Sequence, residues 1–506
     1  MNANTRTYNV IKNIVSNFGT EAINIILKFL TRIIFIKVFG ENYLGINGLF
    51  TNILTVLSLA ELGIGGAIVY SMYKPIAENN HDYLSALINY YKKLYRIIGL
   101  TVCTIGLLLV PALKYIVNLD VDIGNVTFFY LLYLANTVSS YFLIYKSSIL
   151  IADQKNYIVK LCHLTVNIVK FIVLSIIAFI FKNFYLYLSI QIAFSIIGNY
   201  VCSKEAEKRY PFINKRIELS RNDKKGLWNN VTHMFTYQLG YVVLNNTDNI
   251  LISAIVSTTA VGFYSNYSMI ISEINMLIQL LFSAFQASIG NLGTEKNAEK
   301  QYEVFKTVSL FSFIINYVFS VALICVFQDV IHLLFTNHFL LEYKIVIVCV
   351  FNFYVYNMLQ PVYSFRNTIG LFKNTKTVMI YTSAINLVLS LIFGKFMGLF
   401  GILFATGISR LVTNIWYEPL KLFKIYLKKP IRYYYFTQVV LGVFTLITMC
   451  LMFFLTNKIH LSNLFIQLLL KGVIAVIVPM IACFILFRKK IVLIFQQYKV
   501  VLKNKR

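Results

Sequence analysis

An all-α integral membrane protein of about fourteen transmembrane helices is the fold class the sequence predicts, and three observations predict it. Of 506 residues, 58% are hydrophobic and 13% charged, with mean hydropathy +0.70, whereas an ordinary soluble domain is about 25% charged. The 42 Phe and 35 Tyr carry more apolar surface than a soluble core hides, and a bilayer solvates it. The chain also divides into apolar runs of about 20 residues, the length that spans ~30 Å of hydrocarbon at 1.5 Å per residue. Finally, the density of Lys and Arg alternates from one connecting segment to the next. An extracellular protein, a disordered tail and a nucleic-acid binder are excluded as the main identity.

The runs fall at 14–36, 47–72, 97–117, 127–150, 158–181, 184–203, 229–256, 262–288, 305–326, 344–366, 375–396, 399–418, 434–456 and 464–487. The breaks at 182–184 and 397–398 are read as hairpin turns. The first run holds Glu21, Lys28 and Arg32, too long and too charged for a signal-peptide core, so it is read as a true membrane segment. With a cytoplasmic N-terminus, the inside segments hold 33 of the 46 Lys and Arg. The outside turns hold Lys37, Lys114, Lys182, Lys344, Lys395 and Lys458. The net charge of +26 is therefore topogenic charge facing anionic lipid.

The longest polar gap, 203–227, leaves no room for a nucleotide-binding domain, and no GxxxxGK[ST] occurs. Neither HExxH, GxSxG nor clustered Cys and His is present, so no catalytic residue, metal or cofactor is assigned and the chain is not read as an enzyme. Asp120-Val121-Asp122 matches a DxD metal motif but lies in an outside turn without partner ligands. The seven cysteines are widely spaced within apolar stretches and read as small buried hydrophobes.

Two stretches resemble each other, Tyr43–Leu54 (YLGINGLFTNIL) and Ala260–Ile271 (AVGFYSNYSMII). They lie 217 residues and six spans apart, so both point the same way, as two six-helix lobes related by an axis along the membrane normal require.

A charge at the bilayer centre costs at least ~2.5–3.5 kcal/mol, so each one needs a reason. Asn17, Glu21, Asn24, Lys28 and Arg32 recur every three or four residues and form one stripe down the first span. Such a stripe belongs against a hydrated, protein-lined cavity. Lys28 and Arg32 repel as i,i+4 neighbours, and a diphosphate between them supplies charge and acceptor oxygens for both. The competing reading has Arg32 snorkelling outward and Lys28 paired with a carboxylate such as Asp248. In the fifth span Lys160, His163, Asn167 and Lys170 form a second stripe; Lys160 is read as snorkelling, Lys170 as a cavity candidate. Arg410 is the candidate in the twelfth span, while Arg366 and Lys146 are read as snorkelling at inside ends. Glu21, Glu61, Asp248 and Glu273 are the buried acids, serving either charge balance or H+ or Na+ coupling.

The run FIKVFGENYLGINGLFTNILTVLSLAELGIGGAIVYSMYKPIAENN (Phe35–Asn80) closely resembles the second-helix region of bacterial polysaccharide-export flippases. These are Wzx-type members of the multidrug/oligosaccharidyl-lipid/polysaccharide exporter superfamily. TDNILIS (Thr247–Ser253) resembles the matching start of their second lobe. The resemblance implies two six-helix lobes in a V around a central basic cavity, plus two C-terminal helices. On that plan, residues 1–203 are the N-lobe, 204–228 a cytoplasmic loop, 229–420 the C-lobe, and 421–506 spans 13 and 14 with a basic tail.

It further implies a bacterial inner-membrane location with both termini cytoplasmic, and alternating access. The implied substrate is an undecaprenyl-diphosphate-linked oligosaccharide carried from inner to outer leaflet for capsule, exopolysaccharide or O-antigen-type glycan. Lys28, Arg32 and Arg410 stand where family cavities use cations for the diphosphate. Tyr237, Tyr241, Tyr264 and Tyr267 are read as core or interface rings before sugar-stacking ones. Membrane lipid, H+ or Na+, and other polysaccharide-assembly proteins are the expected partners; nucleic acid is not. A lipid II flippase is similar in shape but differs in first-span charge pattern. Two rivals stand beside this reading. One is an ion-coupled multidrug exporter of the same superfamily, against which the net-positive first lobe argues. The other is an intramembrane polymerase or acyltransferase of the same glycan pathway, which needs a placed nucleophile or acid–base pair near an interface.

Overall fold

In hydrocarbon every backbone N–H and C=O needs an internal partner, which a helix supplies within its own segment. The computed structural model describes residues 3–61, 64–119, 121–294, 298–371, 375 and 377–503. Among them are helices joined by short turns, and no strand. Nine helical runs among the described residues are long and apolar enough to cross a membrane. One of them, Val378–Leu427, reverses at Gly398, whose φ of 58° and ψ of −137° suit glycine alone. The expected turn at 397–398 is thus present, and Lys182 (φ 49°), followed by Asn183 capping Leu186 N, makes the turn at 182–184.

The remaining expected spans fall in Ala3–Phe39, in Glu41–Leu57 with Ile64–Ala77, in Arg221–Ile255 and in Thr258–Thr294. These are the first two spans of each expected lobe, and they hold Glu21, Glu61, Asp248 and Glu273. With them the expected spans number fourteen among the described residues, Val378–Leu427 counting as two. Several helices outrun the bilayer: Ala3–Phe39, at 37 residues, is about 55 Å long. The polar gap at 203–227 shortens for the same reason, since helix runs on to Arg209 and resumes at Arg221, capped by Ser220. Hydropathy marks only the embedded part of a helix. The watery part of the sixth-span helix is supported by Lys204–Glu207 (2.9 Å) and Arg209–Glu205 (2.7 Å) pairs one turn apart.

The chain forms two compact units, Met1–Gly262 and Phe263–Arg506. In the first, the Ala3–Phe39 helix packs on Asn156–Phe181, which packs on Phe184–Arg209. Phe35, Phe39, Tyr43, Phe129, Phe184 and Tyr187 form one aromatic cluster, with Tyr43 and Phe184 centroids 4.7 Å apart. The sequence repeat has a physical counterpart here: residues 217 apart meet. Thr259 Oγ1 donates to Asn42 Oδ1 at 2.8 Å. A Cβ on Gly262 would stand 2.6 Å from the Glu41 carbonyl oxygen and 3.1 Å from Gly45 N. One on Gly45 would stand 2.0 Å from the Thr258 carbonyl oxygen. Gly45 and Gly262, matched positions of the two copies, lie against each other.

In the second unit, the Ala298–Phe335 helix packs against Arg432–Thr456 and Leu464–Lys503 around Phe313, Tyr317, Val321, Met452 and Cys483. Tyr317 stacks between Phe313 and Phe444 at centroid distances of 5.5 and 5.2 Å. Lys471, buried on the last helix, pairs with Asp329 at 2.8 Å, and Gln467 donates to the same carboxylate at 3.1 Å. That bond set ties the last helix to the Ala298–Phe335 helix.

Candidate functional site

The two polar stripes face each other. Asn24 and Asn167 are joined by a 3.3 Å bond from Asn167 Nδ2 to Asn24 Oδ1, and Lys160 Nζ lies 3.5 Å from Glu21 Oε2. Lys160, read as snorkelling, is instead the cation of a cross-helix pair, because the first helix brings a carboxylate to its level. The helices run parallel, so one turn beyond the Asn24–Asn167 rung come Lys28 on one and Lys170 on the other. Lys28 is exposed and Lys170 half-buried. A turn further, Arg32 is half-buried within electrostatic range of Tyr133, whose hydroxyl donates to Asn47 Oδ1 at 2.6 Å. This is a polar track on two helices with one acid and four cations. His163 faces the other way, with Nδ1 3.5 Å from where a Gly198 Cβ would stand.

The other acids lie elsewhere. Glu61 sits in a 3-10 turn, Ser58–Glu61, that interrupts the second span. Its Oε1 accepts from Tyr95 Oη at 2.8 Å, and Tyr91 Oη donates to Tyr95 Oη at 3.0 Å. Asp248 is buried on the Arg221–Ile255 helix, which packs on Glu41–Leu57. Glu273 is buried in the second unit.

Arg410 is also in the second unit, 6% exposed, with its guanidinium 5.0 Å from the Tyr356 ring. Beside it lies a pair the sequence did not suggest. Arg366 Nη1 donates to Glu418 Oε2 at 2.6 Å, and Asn414 Nδ2 to Glu418 Oε1 at 3.2 Å. Tyr363 lies under the Arg366 guanidinium at 4.8 Å. Arg366 therefore does not snorkel; a buried carboxylate 52 residues on holds it inside. Lys146 likewise is bound, to Glu207 and to Asn214 Oδ1. The signal that could have found Glu418 is its i,i+4 spacing from Asn414, itself four residues past Arg410, masked by the adjacent basic loop.

Tyr267 is fully buried, donating to Gln328 Oε1 at 2.5 Å and accepting from Leu341 N at 2.9 Å, a core role. Tyr237 is buried, while Tyr241 and Tyr264 are half-buried. Of the DxD motif, Asp120 lies outside the described residues; Asp122 accepts from Gly124 N at 2.8 Å and shapes its own turn. Among the described residues no group of His, Cys, Asp and Glu is arranged to hold a metal.

The family described as "Polysaccharide biosynthesis protein" matches residues 10–289. No curated protein matches the sequence. Among solved structures, one titled "Lipid II flippase MurJ, inward closed conformation" superposes with a TM-score of 0.67 at 18% identity, covering 95% of this chain and 100% of that one. An inward-facing multidrug resistance MATE family transporter of the MOP superfamily gives 0.60 at 16% identity, covering 82% and 99%. A Vibrio cholerae MATE transporter gives 0.58 at 14%, covering 83% and 98%. At these identities the likeness is one of fold.

Proposed function

The chain belongs to the polysaccharide biosynthesis protein family, and from that premise we propose that it is a flippase for a polyprenyl-diphosphate-linked oligosaccharide. In this reading the protein lies in a bacterial inner membrane and moves the glycolipid from inner to outer leaflet by alternating access of lobes 1–203 and 229–420. Lys28, Arg32 and Lys170 bind the diphosphate, and Arg410 contributes from the second lobe. Glu21, Glu61, Asp248 and Glu273 balance charge or couple H+ or Na+.

The observation that carries the reading is the meeting of the two polar stripes. Glu21 pairs with Lys160, and Lys28, Lys170 and Arg32 follow on the same two faces. Cations grouped in this way suit a pyrophosphoryl group, which takes two or more charge-assisted bonds, better than a cationic drug. The grouping therefore favours the flippase over the multidrug exporter.

The test uses the full chain in proteoliposomes holding an undecaprenyl-diphosphate-linked oligosaccharide, with a membrane-impermeant lectin reporting the outer leaflet. Wild type is expected to equilibrate the glycolipid, and the triple variant Lys28→Ala, Arg32→Ala, Arg410→Ala to slow it by about tenfold or more, the loss of at least one charged contact. A triple variant at the wild-type rate overturns the assignment. Joined repeat units among the products indicate a polymerase instead.

A further inference from the structure

The first unit holds another cavity, away from the stripes. Three segments, near residues 77–81, 152–154 and 209–212, wall a space of about 720 Å³ on the side that the basic loops mark as cytoplasmic. That volume is within the range of small-ligand sites.

One wall is a bonded polar network. Tyr210 Oη donates to Asp153 Oδ2 at 2.5 Å, and Lys155 Nζ lies 2.7 Å from the same oxygen and 3.0 Å from Tyr210 Oη. Asp153 is buried, and both contacts fall on Oδ2, which leaves Oδ1 as the acceptor for a ligand. Burial and the neighbouring carboxylate push the Tyr210 phenol up to about 12, so it remains a donor at neutral pH. The other wall is aromatic. The His81 ring lies on Phe212 at 4.3 Å, and Tyr73 presents a half-exposed ring. Asn79 (φ 54°) and Gln154 (φ 58°) carry left-handed backbone into the lining, a conformation that non-glycine residues seldom adopt.

Charge decides what fits. Lys155 matches Asp153, and Glu205 matches Arg209 at 2.7 Å. A pocket so compensated has little field to hold a phosphate. Ring faces beside carboxylate and amide groups match a pyranose, whose C–H face stacks on an aromatic while its hydroxyl edge both donates and accepts.

We propose that this pocket binds a neutral sugar residue. Its use as a docking subsite for the oligosaccharide part of the substrate, before translocation, rests on the flippase reading above; sugar binding itself does not.

The experiment is saturation-transfer NMR on the full chain in nanodiscs. The probes are free glucose, galactose, rhamnose, N-acetylglucosamine and N-acetylgalactosamine, with inorganic phosphate as competitor. At least one sugar is expected to receive saturation, falling about tenfold in Asp153→Asn and in Tyr73→Ala, as expected for a lost bond or stacked ring. Phosphate is expected to leave the signal unchanged. Tyr73 is half-exposed, so its variant keeps the test decisive should Asp153→Asn misfold. No signal from any sugar, a signal surviving Tyr73→Ala, or displacement by phosphate overturns the proposal. Wild type that takes up saturation but moves no glycolipid overturns the flippase reading and leaves the pocket standing.

Discussion

Two regions of this protein put a cation against an acid inside helical bundles, and they do it differently. Arg366 and Glu418 stand 2.6 Å apart with side chains 5% and 0% exposed, and Asn414 fills the second carboxylate oxygen. Lys160 and Glu21 stand 3.5 Å apart, with the lysine side chain 40% exposed. The first is sealed and bonded on every side the structure describes, so it fixes how its helices pack. The second is looser, with Glu21 buried and Lys160 part-exposed, and it is followed along the same track by Lys28, Lys170 and Arg32. Burial of a charge costs so much that a sealed pair is committed to its partner.

Breaking the sealed pair should have the largest effect. Glu418→Ala leaves the Arg366 guanidinium buried opposite an apolar gap, at a cost of about 3–5 kcal/mol. Thermal unfolding of the detergent-purified chain measures it, and Arg366→Met with Glu418→Leu is expected to restore most of the loss. An unshifted melting curve for Glu418→Ala refutes the contrast.

The repeat contact comes next. Gly45→Ala sets a methyl 2.0 Å from the Thr258 carbonyl oxygen, and relieving such overpacking typically costs about 1–3 kcal/mol. The same unfolding assay applies, and wild-type stability would show that the two helix starts are free to part. Glu21→Gln should matter less, because Lys160 stands 3.5 Å away with its side chain 40% exposed, against 2.6 Å and 5% for Arg366. A loss as large as that of Glu418→Ala would erase the distinction between the two regions. Smallest on stability is Lys28→Ala, within about 0.5 kcal/mol for an exposed side chain. In the glycolipid translocation assay its effect should instead exceed that of Glu21→Gln; equal rates for the two would count against a ligand role for Lys28.

Much of this was legible beforehand because the bilayer acts on residues one at a time. Apolar length marked the spans, the 33-to-6 distribution of Lys and Arg their alternation, and Gly398 a reversal. Helical period placed Glu21 with Lys28 and Lys160 with Lys170, each on one face. The repeat was visible as YLG and AVG, without any sign that Gly45 and Gly262 would meet.

What a period cannot state is which face meets which. Arg366 looked like a snorkelling residue until a carboxylate 52 positions away reached it, and Lys160 until Glu21 did from 139 positions away. The sugar pocket draws its walls from three separate turns, each unremarkable alone. Sequence by itself determined the apolar spans and polar faces of the helices, since those follow from local transfer and hydrogen-bond energies. Tertiary structure decided the partners of each charge, because pairing depends on packing between segments far apart in the chain.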